Sequence, residues 1–382
     1  MEAAGISVTT HDGALDEDEL IEALDGVELL GIRSKTQLTQ RVIDASDSLI
    51  AAGAFSIGTN QIDLAAAARR GIAVFNAPFS NTRSVVELAI AEIIGLTRRL
   101  TEHNRLMHAG EWDKHADGAH EIRGRTLGII GYGNIGSQLS VVAEALGMNV
   151  IFYDSAEKLA LGNATRMATL EELLAQSDVV TLHVDGRTGN SGIFGRRQFE
   201  AMKPGAIFLN LSRGFVVDVE ALKDSLESGH LTGAAVDVFP LEPKRRGDEF
   251  ESVLRDVPNV ILTPHIAGST EEAQRDIGIF AATRLRDYVN NGSTSLSVNL
   301  PNLSLEQPTG SHRIAHLHEN IPGVLAAVNK VFAEHDTNID GQLLSTRGEL
   351  GYVVTDVSAG IADDAIEALA KMPGTVRLRV LS

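Results

Sequence analysis

Residues 128–136 read GIIGYGNIG, and that stretch decides the fold. The apolar run TLGII that leads into it reads as a buried strand, and SQLSVVAEALG after it as a helix. Between them Gly131, Gly133 and Gly136 keep the spacing G-x-G-x-x-G. The first glycine permits a tight turn, the second lets backbone approach a pyrophosphate, and the third lets helix and strand pack closely. The N–H groups at the start of the helix then face the anion. The spacing alone is a weak signal; a strand before it and a helix after it make it specific. The next strand, NVIFY, ends at Asp154, 18 residues past Gly136 (154 − 136). A carboxylate there accepts from a ribose 2′-hydroxyl and repels a 2′-phosphate, so NAD is expected rather than NADP. The expected cofactor-binding residues are Gly131, Gly133, Asn134, Ile135, Gly136, Asp154 and Asp237.

The same rhythm of short apolar runs and helices extends both ways. VELLGIRS, LIAAGAFSIG and GIAVFNAP read as strands, with the helix QIDLAAAARR between the last two. SVVELAIAEIIGLTRRLTEHNRLMHAG reads as one long helix with Ser84 as N-cap and Gly110 as stop. DVVTLHV, AIFLNLS, GAAVDVF and NVILTP supply further strands, and residues 267–290 another helix. A turn-rich boundary follows, NGSTSLSVNLPNLSLEQPTGS. Beyond it the chain reads β-α-β-β-α-β, with Pro322 in the first turn of the first helix, the order of a ferredoxin-like split βαβ unit. The fold class is therefore α/β, with doubly wound parallel sheets and a small antiparallel appendix.

The 382 residues allow two or three domains. A net charge of −18 disfavours nucleic acid and anionic membrane as partners. The absence of cysteine excludes disulfides, thiolate metal sites and a cysteine nucleophile, and no metal-ligand set is expected. No run of 18 apolar residues is present, and the acidic start has no signal-peptide core, so a cytoplasmic protein is expected.

A nicotinamide cofactor implies hydride transfer, which at an alcohol requires a proton acceptor and a group to orient the substrate. Doubly wound sheets place such groups past the carboxyl ends of their strands. Arg213 follows AIFLNLS, Glu242 follows GAAVDVF and His265 follows NVILTP. Arginine offers a planar fork for a carboxylate, histidine can take the hydroxyl proton, and glutamate can fix the histidine tautomer. Singly, each reads as an ordinary loop or structural residue; the ordered set after a dinucleotide motif reads as chemistry.

LNLSRGFVVD, AAVDVFPLEP and NVILTPHIAGST resemble the three signature blocks of the D-isomer-specific 2-hydroxyacid dehydrogenases. The resemblance implies that Arg213 binds substrate, that Glu242 partners the histidine, and that His265 is the acid–base group. It also implies two α/β domains with a catalytic cleft between them, the first interrupted by the second. Boundaries are expected at 1–80 with 268–305 for the substrate domain, 81–267 for the nucleotide domain and 311–382 for the tail.

Within the family the chain resembles the branch that oxidises 3-phospho-D-glycerate and carries a C-terminal ACT domain, from near residue 10 to the end. GIRSKTQLT and FNAPFSNTRSVVELA resemble its substrate-domain loops, which implies that Arg33, Ser34 and Asn81 contact substrate while Lys35 and Lys114 add positive charge. A phosphorylated acid in an acidic protein needs such locally gathered cations, although Arg33 and Lys35 also read as solvated loop charges. The tail's resemblance implies an effector, L-serine, held by His318, Asn320 and Asn338 between paired copies, with Gly323 allowing close approach. Amides suit a hydroxylated zwitterion because they donate and accept. A homotetramer is implied, as is tolerance of 2-oxoglutarate as a second substrate.

Three departures from the branch stand out. Gly310-Ser311 replaces a Gly-Gly hinge, Ile321 stands where an arginine is usual, and the start lacks a first strand and helix. EAAGISVTTHDG reads as the end of that helix and a second strand, so Met1 is expected to be an internal start. The alternatives are another 2-hydroxyacid dehydrogenase, an NAD(H)-sensing binding protein, and an inactive regulatory subunit.

Overall fold

Polar caps and fully apolar strands set the element boundaries in the computed structural model, which describes residues 5–243, 247–306, 312–357 and 361–381, apart from the side chain of Thr188. The chain divides into two compact units, one of residues up to 78 with those from 275 onward, the other of residues 79–274.

The first unit opens with α1 (Glu17–Ala23), started by a reciprocal Asp16–Glu19 capping box. Then β1 (Leu29–Ile32), α2 (Gln40–Ala45), β2 (Ala51–Ala54), α3 (Leu64–Arg69) and β3 (Ala73–Phe75) alternate, and the strands pair in parallel in the order β1-β2-β3. Thr39 and Asp63 cap α2 and α3 by accepting from the N–H groups of Val42 and Ala66. β2 and β3 are buried at every position, as parallel strands covered on both faces must be. Residues 6–12 form no strand, contrary to the sequence expectation: Val8 is exposed, and the polar stretch around it offers no face to bury.

The second unit begins with α4 (Thr82–Thr97) and α5 (Leu100–His108), two helices where one was expected. The break falls at Arg99, which takes a left-handed conformation (φ 53°) and pairs with Glu102. Ser84 is not the N-cap; Asn81 holds that position, and the Ser84 hydroxyl instead meets Thr270 Oγ1 at 2.8 Å. Next come β4 (Thr126–Ile130), α6 (Asn134–Ala145), β5 (Asn149–Tyr153), β6 (Thr165–Arg166), α7 (Leu170–Gln176), β7 (Val179–Leu182), α8 (Arg196–Ala201), β8 (Ala206–Asn210), α9 (Val219–Glu227), β9 (Leu231–Val236) and β10 (Val260–Leu262). All seven strands are parallel, in the order β10-β9-β8-β7-β4-β5-β6, so the winding reverses between β4 and β7. In a doubly wound sheet that switch point, at the carboxyl ends, is where ligands bind.

α10 (Glu271–Asn291) leads back into the first unit. There β11 (His312–Glu319), α11 (Val324–Glu334), β12 (Ile339–Arg347), β13 (Leu350–Val357), α12 (Asp363–Ala370) and β14 (Thr375–Leu381) form an antiparallel sheet ordered β12-β13-β11-β14. Pro322 lies outside α11 rather than in its first turn: the helix starts at Val324, and Gly323 is the N-cap at φ 92°, a left-handed conformation that favours glycine. The Gly310-Ser311 position lies outside the described residues.

The central strands of the tail's sheet, β11 and β13, are buried on both faces, while β12 is largely exposed. Ile314 and Val357 pack under Val324, Val328 and Phe332 of α11 and Leu369 of α12. Ala315, Leu317, Tyr352 and Leu381 share a core with Ala51, Phe75, Leu285 and Tyr288. The tail's arginines also serve the end of α10, whose last carbonyls have no partner within the helix. Arg379 donates to the carbonyls of Tyr288 (3.0 Å) and Val289 (3.1 Å) and lies over the Tyr288 ring. Arg313 donates to the carbonyl of Asn291 (3.0 Å) while forking onto Asp356 (2.6 and 2.7 Å). Cations at a helix carboxyl end also complement its dipole. Since the Arg313–Asp356 pair is nearly excluded from solvent, Arg313→Ala strands a buried carboxylate and is expected to cost about 3 kcal/mol in denaturant unfolding.

Candidate active site

Adjacent parallel strands lie about 4.8 Å apart, so residues just past the ends of β8, β9 and β10 are neighbours by construction. At the end of β8, the buried amide of Asn210 folds the chain back. Its oxygen accepts from the N–H (3.1 Å) and hydroxyl (2.8 Å) of Ser212, and its NH2 donates to the carbonyl of Arg213 (3.1 Å). Gly214 then packs so tightly that a Cβ would stand 2.0 Å from the carbonyl oxygen of Phe239. That close approach brings the Arg213 turn onto the segment carrying Glu242. The Arg213 guanidinium is half-buried and spends one N–H on the Ser212 carbonyl (2.7 Å). Burial lowers its pKa while Glu242 and Asp185 oppose that shift.

Past β9, Asp237 is buried and organises the loop after β10. Its carboxylate accepts from the Thr263 hydroxyl (2.6 Å), the Ile266 N–H (2.8 Å) and the Ala267 N–H (2.9 Å). Its carbonyl accepts from the N–H of His265 (2.8 Å). Held at four of the five residues 263–267, His265 adopts a left-handed conformation (φ 54°) that a histidine rarely takes without such support. The imidazole Nδ1 lies 2.9 Å from Glu242 Oε2, and Glu242 Oε1 accepts from the Phe239 N–H at 3.1 Å. With Nδ1–H donating to the carboxylate, Nε2 is the nitrogen left for a substrate proton. The bond to Glu242 raises the His265 pKa against the opposing effect of burial. For Glu242 burial acts upward, but the hydrogen bonds from His265 and Phe239 prevail and its pKa is lowered. The structure thus brings Arg213, Glu242 and His265 together.

The dinucleotide turn fits NAD. Gly131 has φ 93°, and a Cβ on it would meet the carbonyl oxygen of His183, just past β7, at 2.5 Å. A Cβ on Gly136 would stand 2.3 Å from the carbonyl oxygen of Gly131 and 3.0 Å from Ile129 Cγ2. Gly133 is the N-cap of α6, faces open space and leaves the first N–H groups without a side-chain cap; Asn134 and Ile135 open the helix. Asp154 follows β5, with Oδ2 accepting from the Tyr132 N–H and Oδ1 from the Ala156 N–H, both at 2.8 Å. Asp237, expected as a cofactor residue, spends its carboxylate on the His265 loop.

Other expected residues are more scattered. Asn81 packs beside the His265 loop: a Cβ on Gly268 would meet Asn81 Nδ2 at 2.1 Å. Lys114 is exposed between α5 and β4. Arg33, Ser34 and Lys35 are exposed after β1, in the first unit. In the tail, His318 is buried, its Nδ1–H donating to the Glu319 carbonyl (2.7 Å) and its ring lying over Gly351, while Asn320 donates to the Gly348 carbonyl (3.1 Å). Asn338 is elsewhere. His318 pairs with Gly351 and Ile339 with Val357, so six residues (357 − 351) of β13 separate the two ends. That is about 20 Å along the sheet, and one copy does not bring the three together.

Sequence reading missed the positioning roles of Asn210 and Asp237, because neither follows from residue type. It also passed over Glu92, which is buried on α4 with both oxygens unpartnered among the described residues. Burial, aided by Asp237, pushes its carboxyl up to about 8. A lone acid on the apolar face Val85, Val86, Ala89, Ile93, Leu96 was the available signal.

The chain as a whole is similar to known proteins. Residues 90–267 match the family described as D-isomer specific 2-hydroxyacid dehydrogenase, NAD binding domain, and residues 314–377 match an AHAS small subunit-like ACT domain. The chain belongs to the D-isomer-specific 2-hydroxyacid dehydrogenase family and is an NAD-dependent dehydrogenase with a C-terminal ACT domain. It is 51% identical to the D-3-phosphoglycerate dehydrogenase of Escherichia coli K12, over 100% of this chain and 93% of that one. Among solved structures it resembles D-2-hydroxyisocaproate dehydrogenase (28% identity, TM-score 0.71, covering 78% of this chain and 94% of that one). It also resembles the D-lactate dehydrogenase of Aquifex aeolicus complexed with NAD and lactic acid (27%, TM-score 0.66, covering 75% and 91%). No helix among the described residues is long and apolar enough to cross a membrane.

Two outcomes follow from the site. Gly131→Ala has neither the conformation nor the space it needs, and is expected to abolish NADH binding in a fluorescence titration while the protein stays folded by circular dichroism. Glu242→Gln removes the main cause of the raised His265 pKa. With His265 as the candidate proton donor of the reductive direction, the rate is expected to begin to fall at lower pH in the variant than in wild type, read from kcat/KM against pH.

Proposed function

We propose that the chain oxidises 3-phospho-D-glycerate to 3-phosphohydroxypyruvate with NAD, the entry to serine synthesis, and that L-serine restrains it through the ACT domain. The observation that carries the reading is the Arg213–Glu242–His265 arrangement in a chain half-identical to an enzyme of that name. The bound nicotinamide supplies the acceptor for the hydride leaving C2. Arg213 orients the substrate carboxylate and polarises the C2 oxygen, His265 Nε2 takes the C2 hydroxyl proton, and Glu242 holds the imidazole and stabilises its charged form. Arg33, Ser34 and Asn81 are assigned to substrate, with Lys35 and Lys114 adding positive charge. Since about three negative charges must be gathered by a protein of net charge −18, local cations are the physical requirement.

The separation of Asn338 from His318 and Asn320 supports a serine site shared between two copies, His318 and Asn320 from one and Asn338 from the other. This in turn favours an oligomer, a homotetramer on the family resemblance, acting in the cytoplasm. The same three catalytic groups would serve reduction of 2-oxoglutarate to 2-hydroxyglutarate, a second reading that the shared chemistry favours.

NADH consumption with 3-phosphohydroxypyruvate, followed as L-serine rises, tests the whole assignment. Turnover that serine suppresses in wild type but not in His318→Ala is expected. Turnover indifferent to serine in both would remove the effector reading, and no turnover by a folded, NADH-binding protein would remove the substrate.

A further inference from the structure

The ribose end of the dinucleotide turn holds two guanidinium groups that NAD chemistry does not use. Arg166, on the edge strand β6, reaches across to the turn after β5 and donates Nη2 to the carbonyls of Asp154 (3.3 Å) and Ala156 (3.4 Å). The first of these residues carries the carboxylate expected at the ribose 2′-position. Arg166 is exposed and makes no ion pair among the described residues, so most of its fork is open to a ligand. Arg187 approaches from the other side of the switch point, five residues past β7 (187 − 182). Asp185 steers it, accepting from Arg187 Nε at 2.7 and 3.0 Å, and the guanidinium lies within electrostatic range of Asp154.

The usual argument against NADP is a lone carboxylate opposing the 2′-phosphate. Here the local sum is different: Asp154 and Asp185 contribute −2, and Arg166 and Arg187 contribute +2. Both oxygens of Asp154 already accept a backbone N–H, from Tyr132 and Ala156, which satisfies part of that charge before any ligand arrives. Arginine presents a planar, multidentate donor set that matches phosphate, and an arginine beside the ribose acid is how this fold accommodates a 2′-phosphate.

We infer that Arg166 and Arg187 form a phosphate-accepting subsite at the adenosine 2′-position, so that the enzyme binds NADP(H) as well as NAD(H). The inference rests on the dinucleotide reading of the turn and not on the identity of the hydroxy acid. Arg166 is the principal contact, since Arg187 is partly committed to Asp185.

Direct titration of the full-length protein with NADH and with NADPH, by nicotinamide fluorescence or calorimetry, separates these readings without any turnover. NADPH is expected to bind within about tenfold of NADH. Loss of a charge-assisted contact in Arg166→Ala should weaken NADPH about tenfold and NADH less than about threefold. Arg187→Ala should act in the same direction and less. 2′-AMP should displace NADPH from wild type better than from Arg166→Ala. Wild type binding NADPH about a thousandfold more weakly than NADH, or Arg166→Ala weakening both cofactors alike, overturns the inference. NADH binding in the same experiment keeps the dinucleotide reading separate from the subsite.

Discussion

The chemistry of this chain hangs on one buried carboxylate. Asp237 ends the run of residues that builds β9 and takes hydrogen bonds from three groups on the loop past β10. A buried carboxyl group is tolerable only when its polar atoms are engaged, and the loop supplies the partners. In exchange the loop is fixed, although one of its residues sits in a conformation that costs energy. That residue is His265. Its imidazole reaches Glu242 because the backbone beneath it has no freedom to turn away.

A second constraint shapes the other unit. α10 ends with carbonyls that its own helix cannot satisfy, and the ACT domain's Arg313 and Arg379 satisfy them. The open face of a four-stranded sheet is also covered there, by apolar residues of the β1–β3 layer and α10. In isolation, a ferredoxin-like unit exposes that face to water. Here the ACT domain and the small parallel sheet share one core of packed side chains.

Much of this was legible from residue order. Gly131, Gly133 and Gly136 with Asp154 announced a dinucleotide turn, because Gly131 and Gly136 answer close approaches that no other residue meets and Gly133 leaves the start of α6 open. Arg213, Glu242 and His265 announced themselves by recurring at one kind of place, one to three residues past an apolar run that reads as a strand. What was misread was local and has local causes. Ser84 carries the right side chain for a cap but meets Thr270 instead, and the α4–α5 break falls at a left-handed Arg99, with no glycine or proline there to mark it. Pro322 suits a first helical turn by propensity, yet Gly323 takes the cap with a left-handed backbone.

The sequence by itself determined the periodicities, and with them two layers of parallel α/β structure, a βαββαβ tail and the order in which chemical groups leave the strands. Those depend on neighbours along the chain, which a linear reading can see. Only the tertiary structure decided which groups meet. Parallel pairing places β8, β9 and β10 side by side and so joins three turns far apart in the chain. It assigns Asp237 to the His265 loop, sets Asn338 at the far end of the sheet from His318, and carries Arg166 across from an edge strand to Asp154. Each of these is a contact across strands, where register and burial rather than residue type fix the partner.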